Sequence, residues 1–132
     1  MRINIILHFT GAEKNTEIWA KEENSIDFRN EPERAARCTV AFAAVELRNY
    51  IARTLNEVNT IFTPENTEDS FCINLVIKSF TSQSQGFSIY PTYDGVKIEG
   101  EGRIGLLYGA YEFLRMQGWR WMSQGKGHTK SS

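Results

Sequence analysis

The sequence predicts an α+β domain, with a mixed β-sheet of about four to five strands and two main helices packed on one face. Three observations carry this expectation. Apolar residues recur at spacings of three and four over two long stretches, near residues 31–58 and 103–117. Short runs rich in Ile, Val and Phe are punctuated by Gly, Pro, Asn and Asp, as strands are. Two alternating runs also flank an Asp-Gly pair, a strong hairpin signal.

Arg2 to Phe9 is the first strand and stops at Thr10-Gly11. The polar run Ala12 to Glu17 reads as a turn, and Ile18-Trp19-Ala20 as a second short strand. Ile26-Asp27-Phe28 reads as a further strand or a packed loop. Asn30-Glu31-Pro32-Glu33 has the form of a helix start, with Asn30 as cap and Pro32 in the first turn. Ala36, Val40, Ala44, Leu47, Ile51, Leu55 and Val58 then form one apolar stripe, the mark of a long helix. Arg37, Glu46, Arg48, Asn49, Arg53 and Asn56 make its solvated face.

Thr63 to Asp69 is a polar loop, and Phe71 to Ile77 is the clearest strand. Its consecutive Leu75, Val76 and Ile77 imply cover on both faces, hence a central position. The Ser-rich Lys78 to Gln85 is a loop. Gly86 to Tyr90 and Val96 to Glu99 form the hairpin around Tyr93-Asp94-Gly95, and Pro91 places its first strand at an edge. The last helix runs from about Arg103 to Gln117. Ile104, Leu107, Tyr111 and Leu114 form its main stripe, while Leu106, Ala110 and Phe113 widen it, so this helix calls for burial on two sides. Gly105 and Gly109 would admit close approach of another backbone, and Gly118 suits a helix stop. Trp119 and Trp121 alternate around Arg120, as in an extended segment with both indoles on one side.

With 132 residues, the chain has room for a single folded domain, read as 1–122 with a polar tail at 123–132. A net charge of -1 argues against a nucleic-acid partner, and no apolar run reaches the ~20 residues of a membrane span. The opening MRINIILHF lacks a small-residue cleavage site. The chain as written therefore reads as cytoplasmic, or as periplasmic or secreted if a leader has been removed. Cys38 and Cys72 read as buried free thiols rather than a disulfide framework.

Candidate chemistry is sparse. Gly100-Glu101-Gly102-Arg103-Ile104-Gly105 spells the dinucleotide-binding fingerprint between a strand and a helix, but no acidic residue follows about 20 positions on. Glu101 would also set a negative charge beside a pyrophosphate. A tight strand-to-helix turn explains the glycines better. Glu99 and Glu101 could be read as a carboxylate pair for glycoside hydrolysis. A solvated strand end, with Arg103 bridged to Glu99 or Glu101, explains them equally well. Trp119, Trp121 and Tyr108 are candidates for stacking on a glycan or for an interdomain contact. His8 and His128 stand alone, and the cysteines lack ligand spacing, so no metal site and no cofactor are expected.

The run GEGRIGLLYGAYEFLRMQGWRW resembles the end of the N-terminal α+β domain that precedes the catalytic barrel in glycoside hydrolases of the α-glucuronidase family. Related domains precede the barrel in the β-hexosaminidase family. Phe42 to Ile51 is similar to that domain's first helix, with its Ala-Ala-x-Glu-Leu pattern at Ala43 to Leu47. The resemblance spans about Ile3 to Trp121. It implies a mixed sheet with two helices on one face, and a non-catalytic accessory role supporting a barrel that this chain does not contain. It further implies that the last helix meets a barrel domain or, without one, a second copy of the chain. A free-standing module that binds carbohydrate or another protein is the alternative.

Overall fold

The structure is a computed structural model, and it describes residues 2–55, 58–65 and 70–116. Its elements are β1 (Arg2–Ile6), α1 (Ala12–Lys21), α2 (Pro32–Thr54), β2 (Asn59–Thr63), β3 (Phe71–Ile77), β4 (Phe87–Thr92), β5 (Gly95–Gly100) and α3 (Arg103–Arg115). The five strands form one sheet in the order β2-β1-β3-β5-β4. β1, β2, β3 and β5 run parallel, and β4 closes one edge antiparallel to β5. The expected α+β architecture with a mixed sheet is thus observed, with three helices rather than two on one face.

Strand alternation decides which face that is. Ile3, Ile5 and Leu7 from the first strand and its end point to the helices, as do Ile73, Leu75, Val96 and Ile98. There they meet Val40, Ala44, Leu47 and Ile51 of α2 and Leu106, Ala110 and Phe113 of α3 in one continuous core. β3 is central, as its apolar run requires, and Pro91 lies on the edge strand, where a missing N–H costs no ladder bond.

Two elements differ from the sequence reading. Ala12 to Ala20 is helical, neither a turn nor a strand. Its core-facing residues are Ala12, Thr16, Trp19 and Ala20, and the first two are too small or too polar to announce an apolar stripe. Burial of Thr16 is made tolerable by a 2.6 Å bond from its hydroxyl to the Ala12 carbonyl. The second difference is β2, which fills the unassigned gap between the helical stripe ending at Val58 and the polar loop beginning at Thr63. Leu55 is already extended (φ -120°, ψ 135°), so its helical spacing is accidental, although Leu55 and Val58 still pack against the core.

The start of α2 differs by one position. Glu31 holds the cap place and no side chain caps the helix, while the Asn30 amide donates to Asp27 at 2.7 Å. Ile26-Asp27-Phe28 is a packed loop, one of the two forms expected. Part of the supposedly solvated face of α2 instead ties α1 to it. Arg37 lies 4.9 Å from the centre of the Trp19 ring system, and Arg48 is bonded to Glu17 at 2.8 Å.

α3 begins at Arg103 as expected, but its core face is Gly105, Leu106, Gly109, Ala110 and Phe113. The stripe of Ile104, Leu107, Tyr111 and Leu114 lies outside that face, partly covered or exposed. The glycines decide the orientation. A Cβ at Gly105 would stand 2.1 Å from the Gly86 carbonyl oxygen, and one at Gly109 would stand 2.8 Å from Ile98 Cγ2. Glycine at both places lets α3 lie directly on β4, β5 and the loop before them.

Candidate functional site

The carboxyl ends of the parallel strands gather most of the polar chemistry. The strand order reverses on either side of β1, so the crevice beyond β1 and β3 is the switch point at which open α/β sheets hold ligands. His8, two residues beyond β1, has a left-handed φ of 61°, and its Nε2 lies 3.0 Å from the Asn74 Oδ1 of β3. Phe9 and Phe80, from the loops after those two strands, stack across the crevice with ring centres 6.1 Å apart. Beside them is a cleft of about 210 Å³, lined by Phe28, Arg29, Phe80, Ser82, Gln83 and Arg103 among others.

The glycine turn occupies the same edge and is packed shut. A Cβ on Gly100 would sit 2.1 Å from the Leu106 nitrogen, and one on Gly102 would sit 2.2 Å from the Ser82 carbonyl oxygen. The amides of Lys78 and Ser79 donate to the carbonyls of Gly100 and Glu101, and the Glu101 amide donates to that of Gly86. The backbone of the loop before β4 thus lies directly against Gly102 and Gly105, in the space a phosphate would need. The glycines serve packing.

Arg103 departs from its expected partner. It reaches Glu23 in the loop after α1, at 3.7 Å, rather than Glu99 or Glu101, and its Nη1 donates to the Thr39 hydroxyl at 3.3 Å. That hydroxyl in turn donates to Glu23 at 2.7 Å. The guanidinium also lies 4.6 Å from the Phe28 ring centre. The direction of α3 explains the choice: its first turn faces α2, so Arg103 extends away from the strand end that bears Glu99 and Glu101. Glu101 pairs with Lys78 at 3.3 Å across exposed surface, and Glu99 stands opposite Ser88 on β4. Only 12% of the Glu23 side chain and 21% of that of Arg103 is exposed. Burial therefore raises the Glu23 carboxyl above its ordinary range, against the lowering effects of the Thr39 bond and of Arg103.

Tyr108 is 43% exposed on the outer side of α3. Trp119 and Trp121, with Gly118 and the tail 123–132, lie outside the described residues. Among the described residues no group of three or more His, Cys, Asp or Glu converges as a metal site would. No described helix is long and apolar enough to cross a membrane. The reading of isolated histidines missed the His8–Asn74 contact, because it depends on a parallel pairing that brings positions 66 apart in sequence side by side.

No family model and no curated protein matches the chain. Among solved structures, a GH138 enzyme targeting pectin rhamnogalacturonan II has a similar fold over 90% of this chain, with a TM-score of 0.57 and 16% sequence identity. The match takes in 14% of that enzyme's chain. At this identity the likeness is one of fold.

Proposed function

We propose that this chain is a non-catalytic accessory domain of a larger carbohydrate-active enzyme, of the kind that precedes the catalytic barrel in α-glucuronidase-type and β-hexosaminidase-type hydrolases. The observation that carries this reading is the fold match, which takes in nearly all of this chain and a small part of a glycoside hydrolase. The strand-end acids support it: Glu101 pairs with Lys78 on exposed surface, Glu99 stands opposite Ser88 on β4, and neither lines the described cleft. In this role the sheet and helices are a rigid platform, and hydrolysis takes place in another domain of the same polypeptide. A free-standing glycan-binding module is the second reading, favoured by the exposed Tyr108 ring.

An antibody raised against the domain tests the proposal on native cell material. The expected product is a single polypeptide far larger than 15.1 kDa that co-purifies with glycosidase activity. A native product of only that mass would contradict the accessory role and favour the free-standing module.

A further inference from the structure

The cleft beside Phe80 is positively charged, and its arginines are only partly neutralised. Among the described residues no Asp or Glu lines it, whereas Arg29 and Arg103 do. Phe28 brings the two together: the guanidinium carbons of Arg103 and Arg29 lie 4.6 and 5.9 Å from the centre of its ring. Asp27, next in sequence, is used by its own turn, accepting the amides of Arg29 and Asn30 and the Asn30 side chain. Glu22 and Glu31 are bonded to Arg34. Arg103 meets Glu23 through Nη1 at 3.7 Å, well beyond the ~2.8 Å of a charge-assisted bond. Its Thr39 bond also uses Nη1, so among the described residues Nε and Nη2 have no protein acceptor.

We propose that this cleft binds a small organic carboxylate that carries hydroxyl groups. Two guanidinium groups supply N–H donors in the forked geometry that a carboxylate accepts. Thr81, Ser82 and Gln83 add hydroxyl and amide groups to the lining. The Ser82 hydroxyl accepts the Ser84 amide at 3.1 Å, which leaves its own proton for a ligand oxygen. Phe28, Phe80 and Pro32 supply apolar wall, which an organic body can use and a bare phosphate cannot. At about 210 Å³ the cleft is smaller than the roughly 300 Å³ at which drug-sized sites begin, so the ligand is small. Pro32 opens α2 and Arg103 opens α3, so the positive ends of two helix dipoles add to the field. The site stands apart from the accessory role, because it lies wholly within the described residues.

Amide chemical-shift titration of the 132-residue chain tests this, with gluconate as the probe, sorbitol as its uncharged counterpart and inorganic phosphate as a competing anion, all at constant ionic strength. Gluconate should give saturable shifts centred on Arg29, Phe80 to Gln83 and Arg103, with a Kd of about 1 mM. Sorbitol should bind at least about tenfold more weakly, since it lacks the charge. Arg29→Gln should weaken gluconate about fivefold or more and leave the rest of the spectrum in place, because the Arg29 side chain is exposed and makes no ion pair among the described residues. Equal binding of sorbitol, or tighter binding of phosphate at the same amides, would overturn the carboxylate assignment. Shifts that never saturate, that centre on surface lysines instead, or that survive Arg29→Gln unchanged would overturn the site. The accessory reading survives each of these outcomes.

Discussion

α2 and α3 lie on the same face of the same sheet, yet their surroundings differ. α2 sits between α1 and α3, and small residues adapt it to that place. Ala35, Ala36, Ala41, Ala43 and Ala44 are fully buried beside Val40, Leu47 and Ile51, so neighbours approach closely on both flanks. α3 is the outer helix of the layer. It uses glycine to lie close to the sheet on one side and carries large apolar residues on the other. The difference teaches that a helix between two neighbours is fitted by small residues on both flanks, whereas one at the end of the layer needs them chiefly on its sheet side.

Disturbing the sheet beneath the helices, where β5 lies against β3, is expected to have the largest effect. A Cβ at Gly95 would lie 1.9 Å from the Cys72 carbonyl oxygen in the adjacent strand, a backbone atom that cannot step aside. Gly95→Ala should cost about 4 kcal/mol or more, at the extreme of single substitutions, and show in urea melts as a molecule barely folded. Next comes the covered side of α2. Leu47→Ala should cost about 2–5 kcal/mol by leaving a cavity, whereas Tyr111→Ser on the more open side of α3 should cost about 1–2 kcal/mol for the half of the ring that is covered. Similar losses at both positions in urea titrations would erase the contrast between the helices.

Glu23 joins the loop after α1 to α2 and α3, and it sharpens the comparison through pH. Its folded carboxyl titrates above the ordinary 4.5, so the folded state holds the proton more tightly than the unfolded chain. That stabilising contribution is complete below pH 4.5 and is lost as pH rises through the raised folded value. Glu23→Gln should flatten the fall in stability over that window, measured by urea unfolding at several pH values; an unchanged profile would remove Glu23 as its source. The smallest effect belongs to Cys38, fully buried on α2. Burial, reinforced by Glu22, pushes its thiol up to about 11. It should remain silent to a thiol-specific dye at about pH 8 until the chain is unfolded.

The parts legible in the sequence were those with large side chains at regular spacing. Phe71 to Ile77 announced the central strand, Asp94-Gly95 the hairpin, and Val40 to Ile51 the long helix. α1 was hidden because it buries Ala12 and Thr16, which signal neither apolar stripe nor turn. β2 was hidden because Leu55 and Val58 continue a helical spacing after the backbone has become extended. The close approach at Gly105 and Gly109 was legible in α3, but which of its two apolar sides meets the sheet was not, because spacing weighs Leu and Tyr above Ala and Gly. The partner of Arg103 depended on α1 and its loop, so it could not be read without them.

The most direct test of the central claim is an assay of the purified 132-residue chain on glucuronide, N-acetylhexosaminide and pectic oligosaccharides, alongside its circular-dichroism melt. The account predicts a cooperative melt, as a self-contained domain gives, with no hydrolysis of any substrate. Turnover that persists through purification and disappears in Glu99→Gln or Glu101→Gln would place the chemistry in this chain and contradict an accessory role.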